Sequence, residues 1–199
     1  MTPPTYPARP INGGPLDRAL PKTAPTVWDD KYNGWNILAH IESGRCYNRH
    51  LQPLSITLEF KIALATLRTT LNAEAFKWAN CEGLERRHGI GRGTLIVYDV
   101  LPEPQFRATP CTERRAWLDA VLPPMNPIGE RPCGENEVRV ARSWQNPEAA
   151  WVHLQAENKR LGCEFYEGLV AKRADSHYPF QLRSASTEFP FWMKHRWAF

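Results

Sequence analysis

Six charged residues lie inside strongly apolar stretches of this sequence: Lys31, Glu82, Glu167, Lys172, Lys194 and Arg196. A charge in an apolar strand is costly unless it is paired or turned toward a ligand. Taken singly, each reads as an outward-facing side chain on a half-exposed strand. Spread over several strands and turns, they are harder to dismiss, because antiparallel pairing brings such residues onto one concave sheet face. The result is a groove with several cations and at least two carboxylates. That mixture suits a nucleoside triphosphate: the lysines and Arg49 neutralise phosphates, and the carboxylates hold magnesium or the ribose. Crowded cations also favour the neutral, nucleophilic form of an amine such as Lys31.

These residues must be carried by particular elements. Lys31 stands in Trp28-Asp29-Asp30-Lys31-Tyr32-Asn33-Gly34-Trp35. Apolar residues on both sides predict strands over 26–32 and 35–41, and Asn33-Gly34 is a two-residue hairpin signal. On this stretch alone, a surface hairpin with a solvated lysine is the plainer reading. A short strand follows over 45–49, closed by Pro53. Glu82 falls in a predicted strand over 76–84. Tyr98 falls in the β-branched run 94–101, the strongest buried-strand signal in the chain. Glu167 and Lys172 share a strand over 165–172, and Lys194 and Arg196 lie on the last one, 191–197. A further short strand covers 138–141. Apolar residues at helical spacing predict a helix over 58–71. A second runs over 113–122 after Thr112 as cap. The third opens at Asn146-Pro147-Glu148 and ends at Leu161-Gly162. Residues 1–25, rich in proline with Gly13-Gly14 in the middle, read as an extended arm without regular structure, separate from a domain over 26–199. Many strands and few helices predict an α+β fold of antiparallel sheets with flanking helices.

Composition sets the outer bounds. At 199 residues, 42% hydrophobic and 11% aromatic, the chain is globular rather than disordered. A formal charge of +4 is compatible with a nucleotide or nucleic-acid partner without demanding one. No apolar run is long enough to span a bilayer, and no signal-peptide pattern opens the chain. The 5 cysteines are scattered and form no CxxC pair, which argues against a disulfide framework or zinc site and for a reducing, cytoplasmic compartment. Gly89-Ile90-Gly91-Arg92-Gly93 lacks the ending of a phosphate loop and leads into a strand, so it reads as a loop tip. Arg86, Arg87, His88 and Arg92 beside it form either a solvated basic loop or a contact for a nucleic-acid backbone.

Taken in order, these segments resemble the motifs of the covalent nucleotidyltransferases, the superfamily of ATP-dependent polynucleotide ligases and mRNA-capping guanylyltransferases. Lys31-Tyr32-Asn33-Gly34 is similar to the K-x-D-G motif whose lysine forms the nucleotide adduct, with Asn33 where aspartate is usual. Arg49 falls where the family has an arginine close to the ribose. Asn80-Cys81-Glu82-Gly83 looks like the D-G-E-type motif, so Glu82 would approach the ribose or metal. Tyr98, before Asp99, matches the aromatic residue that stacks on the base. Glu167-Gly168-Leu169-Val170-Ala171-Lys172 resembles the ligase E-G-hydrophobic-hydrophobic-x-K motif, and Lys194-His195-Arg196 the K-x-K motif with arginine second. The resemblance covers roughly residues 26 to 197. The first and third motifs occur by chance when taken alone; the last two are more specific, and the order and spacing of the set carry the weight.

The resemblance implies an ATP-grasp-like nucleotidyltransferase domain and an ATP-dependent ligase. Lys31 would attack the α-phosphorus of ATP, with Lys172, Lys194 and Arg196 on the phosphate. Asp29, Gly34, Arg49, Glu82, Tyr98, Glu167 and Arg196 would line the nucleotide site, and Glu82 and Glu167 would serve magnesium. The partner would be a nucleic acid with a 5′-phosphate and a 3′-hydroxyl, DNA slightly favoured over RNA. The family's usual second, OB-type domain is expected to be absent, so another chain would supply it or the domain would act alone. Two alternatives stay open: a GTP-using capping-type guanylyltransferase, and a nucleic-acid-binding module that has lost its chemistry.

Overall fold

The computed structural model describes residues 3–16, 26–55, 58–71, 74–84, 89–180, 182 and 184–197. Two five-stranded sheets organise the chain. The strands are β1 (Arg9–Gly14), β2 (Thr26–Tyr32), β3 (Trp35–His40), β4 (Cys46–Tyr47), β5 (Phe76–Leu84), β6 (Thr94–Pro102), β7 (Val138–Val140), β8 (Ser143–Trp144), β9 (Tyr166–Arg173) and β10 (Glu188–Arg196). The helices are α1 (Leu58–Thr70), α2 (Cys111–Val121) and α3 (Pro147–Leu161). The first sheet has the order β1-β10-β9-β2-β8 and the second β4-β3-β5-β6-β7. The expected α+β fold is therefore present. The pairing is mixed rather than purely antiparallel, since β1 runs parallel to β10 and β6 parallel to β7.

Three apolar clusters hold the layers. Ile37, Ala39, Cys81, Leu95 and Val97 of the second sheet bury against Phe60, Leu64 and Leu67 of α1 and Leu118 of α2. Trp28, Tyr32, Leu169 and Ala171 of the first sheet bury against Ala150 and Leu154 of α3. Between the sheets, Leu38, Trp78 and Leu101 meet Phe189 and Trp192, with Tyr178 among them. Alternation along each strand thus leaves the opposite face of the first sheet, away from α3, for polar residues.

Three expectations need correction. The Asn33-Gly34 step is no hairpin: β2 pairs with β8 and β9, whereas β3 pairs with β4 and β5. Neither residue has a positive φ, so the primed turn is not formed. The chain instead crosses here from one sheet to the other. The proline-rich arm is not wholly irregular, because Arg9–Gly14 forms the edge strand β1; its stretch 17–25 lies outside the described residues. Helix α2 is capped at Pro110 rather than Thr112, whose backbone N–H and hydroxyl both reach the Ala174 carbonyl. The third helix is as read: Asn146 accepts the Ala149 N–H at 2.9 Å, Pro147 opens the first turn, and Gly162 closes it with φ 68°. Residues 85–88 of the basic loop, Arg86, Arg87 and His88 among them, lie outside the described residues.

Candidate active site

Cross-strand register decides which side chains share a face. Lys31 of β2 lies opposite Gly168 of β9, and Gly168 opposite Arg196 of β10. The next row holds Asp29, Val170 and Lys194, and the one after it Val27, Lys172 and Trp192. Directly opposed residues point to the same side of a sheet. One face of the first sheet therefore carries Asp29, Lys31, Lys172, Lys194 and Arg196. A register shift between Lys31 and Tyr32 leaves Glu167 as an extra residue on β9, beside Lys31. Gly168, with φ 143°, makes this possible: a Cβ there would fall 1.9 Å from the His195 carbonyl oxygen.

Lys31 donates to Glu167 Oε2 in a partly buried ion pair, and Arg196 Nη2 reaches the same oxygen at 3.2 Å. From the second sheet comes Glu82, buried on β5. Its Oε1 accepts the Gly34 N–H at 2.9 Å, and the Tyr98 hydroxyl bonds to the same carboxyl. Tyr98 in turn accepts the Tyr32 N–H at 3.1 Å. The crossing at 33–34 thus joins the strand of Lys31 to the carboxylate and the aromatic ring of the other sheet. Gly34 is required by closeness: a Cβ would lie 2.6 Å from the Gly83 carbonyl oxygen and 2.8 Å from Glu82 Cγ. Burial pushes the Glu82 carboxyl up to about 7, Lys31 opposes this and Glu167 adds to it. Burial first, then Arg196 and Arg9, hold the Lys194 amine below its ordinary value.

Lys172 is set differently. It is 2% exposed, its Nζ lies 2.7 Å from Asp29 Oδ2, and it donates to the Tyr98 carbonyl at 2.8 Å. The Trp192 ring lies 4.7 Å away. Burial works to lower this amine, but Asp29 and Asp99 more than offset it and hold it above its ordinary value. Asp29 is equally enclosed: Arg115 Nη1 reaches its Oδ1 at 2.8 Å and the Ser143 hydroxyl donates to it at 2.5 Å. The pair ties β2 and β9 to β6 across the two sheets. Arg49 is exposed in the turn after β4, with its Nε 3.1 Å from His50 Nε2. Register and contacts bring together Lys31, Gly34, Glu82, Tyr98, Glu167, Lys194 and Arg196, and beside them Asp29 and Lys172.

Sequence reasoning missed the cations that hold the acids of β2. Arg115 fixes Asp29, while Asp30 accepts from Trp144 Nε1 at 2.5 Å and from the Tyr32 hydroxyl at 3.1 Å, with Arg142 Nη1 at 3.4 Å. Arg114 is fully buried and grips Asp99 through two bonds of 2.7 and 2.8 Å. The signal was available in principle: two acids in an apolar strand need partners, and the arginines of α2 and of the turn before β8 are the partners supplied.

The family resemblance implies magnesium at Glu82 and Glu167. Among the described residues no group of three or more His, Cys, Asp or Glu is placed to hold a metal. Two carboxylates do fit an ion that arrives with the phosphates of a nucleotide and keeps most of its water.

No protein-family model matches the sequence, and no curated protein matches it. Solved structures do. The chain is similar to the ligase domain of LigD from M. tuberculosis, with a TM-score of 0.62 and 16% identity over 96% of this chain and 59% of that one. A mycobacterial DNA ligase D complexed with ATP and MES gives 0.59 and 19%, over 96% of this chain and 60% of that one. An archaeal ATP-dependent RNA ligase gives 0.53 and 17%, over 96% and 48%. The chain spans about three fifths of the length of the first two. It has the α+β fold of the nucleotidyltransferase domains of ATP-dependent DNA and RNA ligases. No helix among the described residues is long and apolar enough to cross a membrane.

Proposed function

We propose that this domain is an ATP-dependent polynucleotide ligase domain working through a covalent lysyl-AMP on Lys31. The observation that carries the reading is the setting of Lys31. Its amine meets a carboxylate from β9, with two further cations one strand beyond and an acid and a tyrosine from the facing sheet. The Lys31 amine, in its neutral form after giving one proton to solvent, forms a bond from nitrogen to the α-phosphorus of ATP; a second proton passes to the adjacent Glu167 carboxylate or to water, and the nitrogen keeps one hydrogen in the phosphoramidate. The bond from that phosphorus to the bridging oxygen breaks, and its electrons leave with pyrophosphate. Lys194 and Arg196 neutralise charge that develops on the phosphoryl oxygens, and Lys172, held by Asp29 and the Tyr98 carbonyl, adds its positive charge to the same sheet face. Tyr98 offers its ring to the base, and Glu82 its carboxyl to the ribose. Asp29 serves the nucleotide through Lys172, which it holds. Glu82 and Glu167 would hold magnesium, which would supply further charge neutralisation at the phosphates.

In-line placement and charge compensation provide most of the rate in such a transfer. AMP then passes from Lys31 to a 5′-phosphate, and a 3′-hydroxyl displaces it. Arg49, exposed at the turn after β4, is assigned to the nucleic-acid side of the groove rather than to its floor. Positive net charge agrees with that partner. The test is a chase. Protein preloaded with labelled AMP is mixed with nicked duplexes carrying DNA or RNA at the break. Transfer of label to the 5′-phosphate strand is the expected result, and the preferred sugar reports DNA or RNA. Label that forms from ATP but stays on the protein with every duplex would refute the ligase assignment, and label from GTP alone would favour the capping-type alternative.

A further inference from the structure

The strand that precedes the nucleophile takes no part in the motifs, yet it borders the groove. β1 pairs in parallel with β10, Asn12 beside Lys194 and Gly14 beside His195. Asn12 therefore joins the row that holds Asp29, Val170 and Lys194, on the same face as Lys31. Arg9, three residues earlier, is exposed and lies opposite Glu188 of β10, with a register shift between Pro10 and Ile11 before the Asn12 row; its charge acts to lower the Lys194 amine and that of Glu188 to raise it. Among the described residues Arg9 forms no ion pair. Its strand is seated by glycine: a Cβ at Gly13 would lie 2.6 Å from Met193 Sδ and 2.7 Å from His195 Cε1. Only a bare backbone closes this far onto β10, and Gly14 follows with φ 71°.

Transfer to Lys31 places the leaving group. In-line displacement puts pyrophosphate on the side of the α-phosphorus away from the attacking nitrogen. Lys31 is on β2, and across the sheet lie β9, β10 and then β1. Three strand spacings put β1 about 14 Å from β2. A lysine side chain, an α-phosphoryl group and the pyrophosphate beyond it cover a comparable span. We propose that β1 forms a pyrophosphate subsite, in which Arg9 and Asn12 bind the departing pyrophosphate on the side of the groove opposite Lys31. The direction of departure rests on the nucleotidyltransferase reading of Lys31; the binding of pyrophosphate at β1 is tested without it.

Calorimetric titration with magnesium pyrophosphate does this on the full chain, its fold checked by circular dichroism. Arg9→Gln and Asn12→Ala each remove a donor from an exposed position, so neither disturbs a packed core. Each is expected to weaken pyrophosphate binding, Arg9→Gln by roughly tenfold for a lost charge-assisted bond. Arg45→Ala, at an exposed turn remote from β1 in the chain, is expected to leave it unchanged. Gly13→Ala, which pushes β1 off β10, is expected to weaken it as well. Unchanged binding in both Arg9→Gln and Asn12→Ala, or no binding of pyrophosphate by the wild-type chain, would overturn the subsite. Failure of the parent reading shows separately, as no AMP adduct on a chain that still binds pyrophosphate through Arg9.

Discussion

Replacing Asp30 by asparagine tests whether burial or Arg142 controls the acid beside Lys31. Asp30 is wholly buried and accepts from Trp144 and Tyr32, with Arg142 at 3.4 Å. Burial raises its carboxyl from 3.8 to about 6, against the lowering effects of Arg142, Trp144 and Tyr32. The folded chain thus holds this proton more tightly than the unfolded one. Stability from the group is present in full below the unfolded value, is lost as pH rises through about 6, and then levels off. A shift of about two units corresponds to about 3 kcal/mol. Asparagine cannot ionise, so the Asp30→Asn chain lacks this loss, whatever constant cost it carries at Arg142. Between pH 4 and pH 7 the melting temperature of Asp30→Asn is expected to gain on wild type by roughly 6–12 °C for a chain of this size. Thermal melts by circular dichroism at half-unit pH steps measure it, and other titrating groups cancel in the difference. A difference that stays flat, or that moves in favour of wild type as pH rises, would mean that Arg142 outweighs burial and would refute the reasoning.

Further substitutions address the crossing and its supports. Gly34→Ala puts a methyl group 2.6 Å from the Gly83 oxygen and 2.8 Å from Glu82 Cγ, so the sheets must part where Glu82 meets the Gly34 N–H; AMP-adduct formation in a single-turnover assay is expected to fall at least about tenfold, the worth of one hydrogen bond to a charged group. Arg114→Ala leaves Asp99 buried without its two-point partner, and urea melts are expected to show a loss of about 3–5 kcal/mol. Asn33→Asp would restore the acid usual in ligases, yet Asn33 Nδ2 donates to the Glu164 carbonyl at 3.0 Å. A carboxylate cannot donate, so the change is expected to cost about 1–2 kcal/mol in the same melts and to bring no gain in adduct formation.

Much of the site was legible because strands have a period of two. Once 26–32, 165–172 and 191–197 are read as strands, Lys31, Lys172, Lys194 and Arg196 fall on one face wherever the register aligns them, and it does. What was not legible depends on contacts distant in sequence. Asn33-Gly34 carries the local chemistry of a hairpin, but the partners of β2 and β3 lie in different sheets, and pairing with β9 and β5 wins over the local turn preference. The proline-rich start gave no alternation to read, so β1 emerges only from its seat on β10, which Gly13 permits. Lys172 looked like an open phosphate contact from its motif. Its burial with Asp29, Arg115 and the Tyr98 carbonyl follows from the closeness of the two sheets, which no single segment reveals.

The most direct test of the central claim is intact-protein mass spectrometry after incubation with ATP and magnesium, on wild type and Lys31→Ala. A mass gain equal to one AMP in wild type, absent in Lys31→Ala with its fold retained, is the expected result. An equal gain in both chains would place the adduct on another residue. No gain in folded wild type, with ATP or with GTP, would contradict the assignment of Lys31 as nucleophile of an active nucleotidyltransferase.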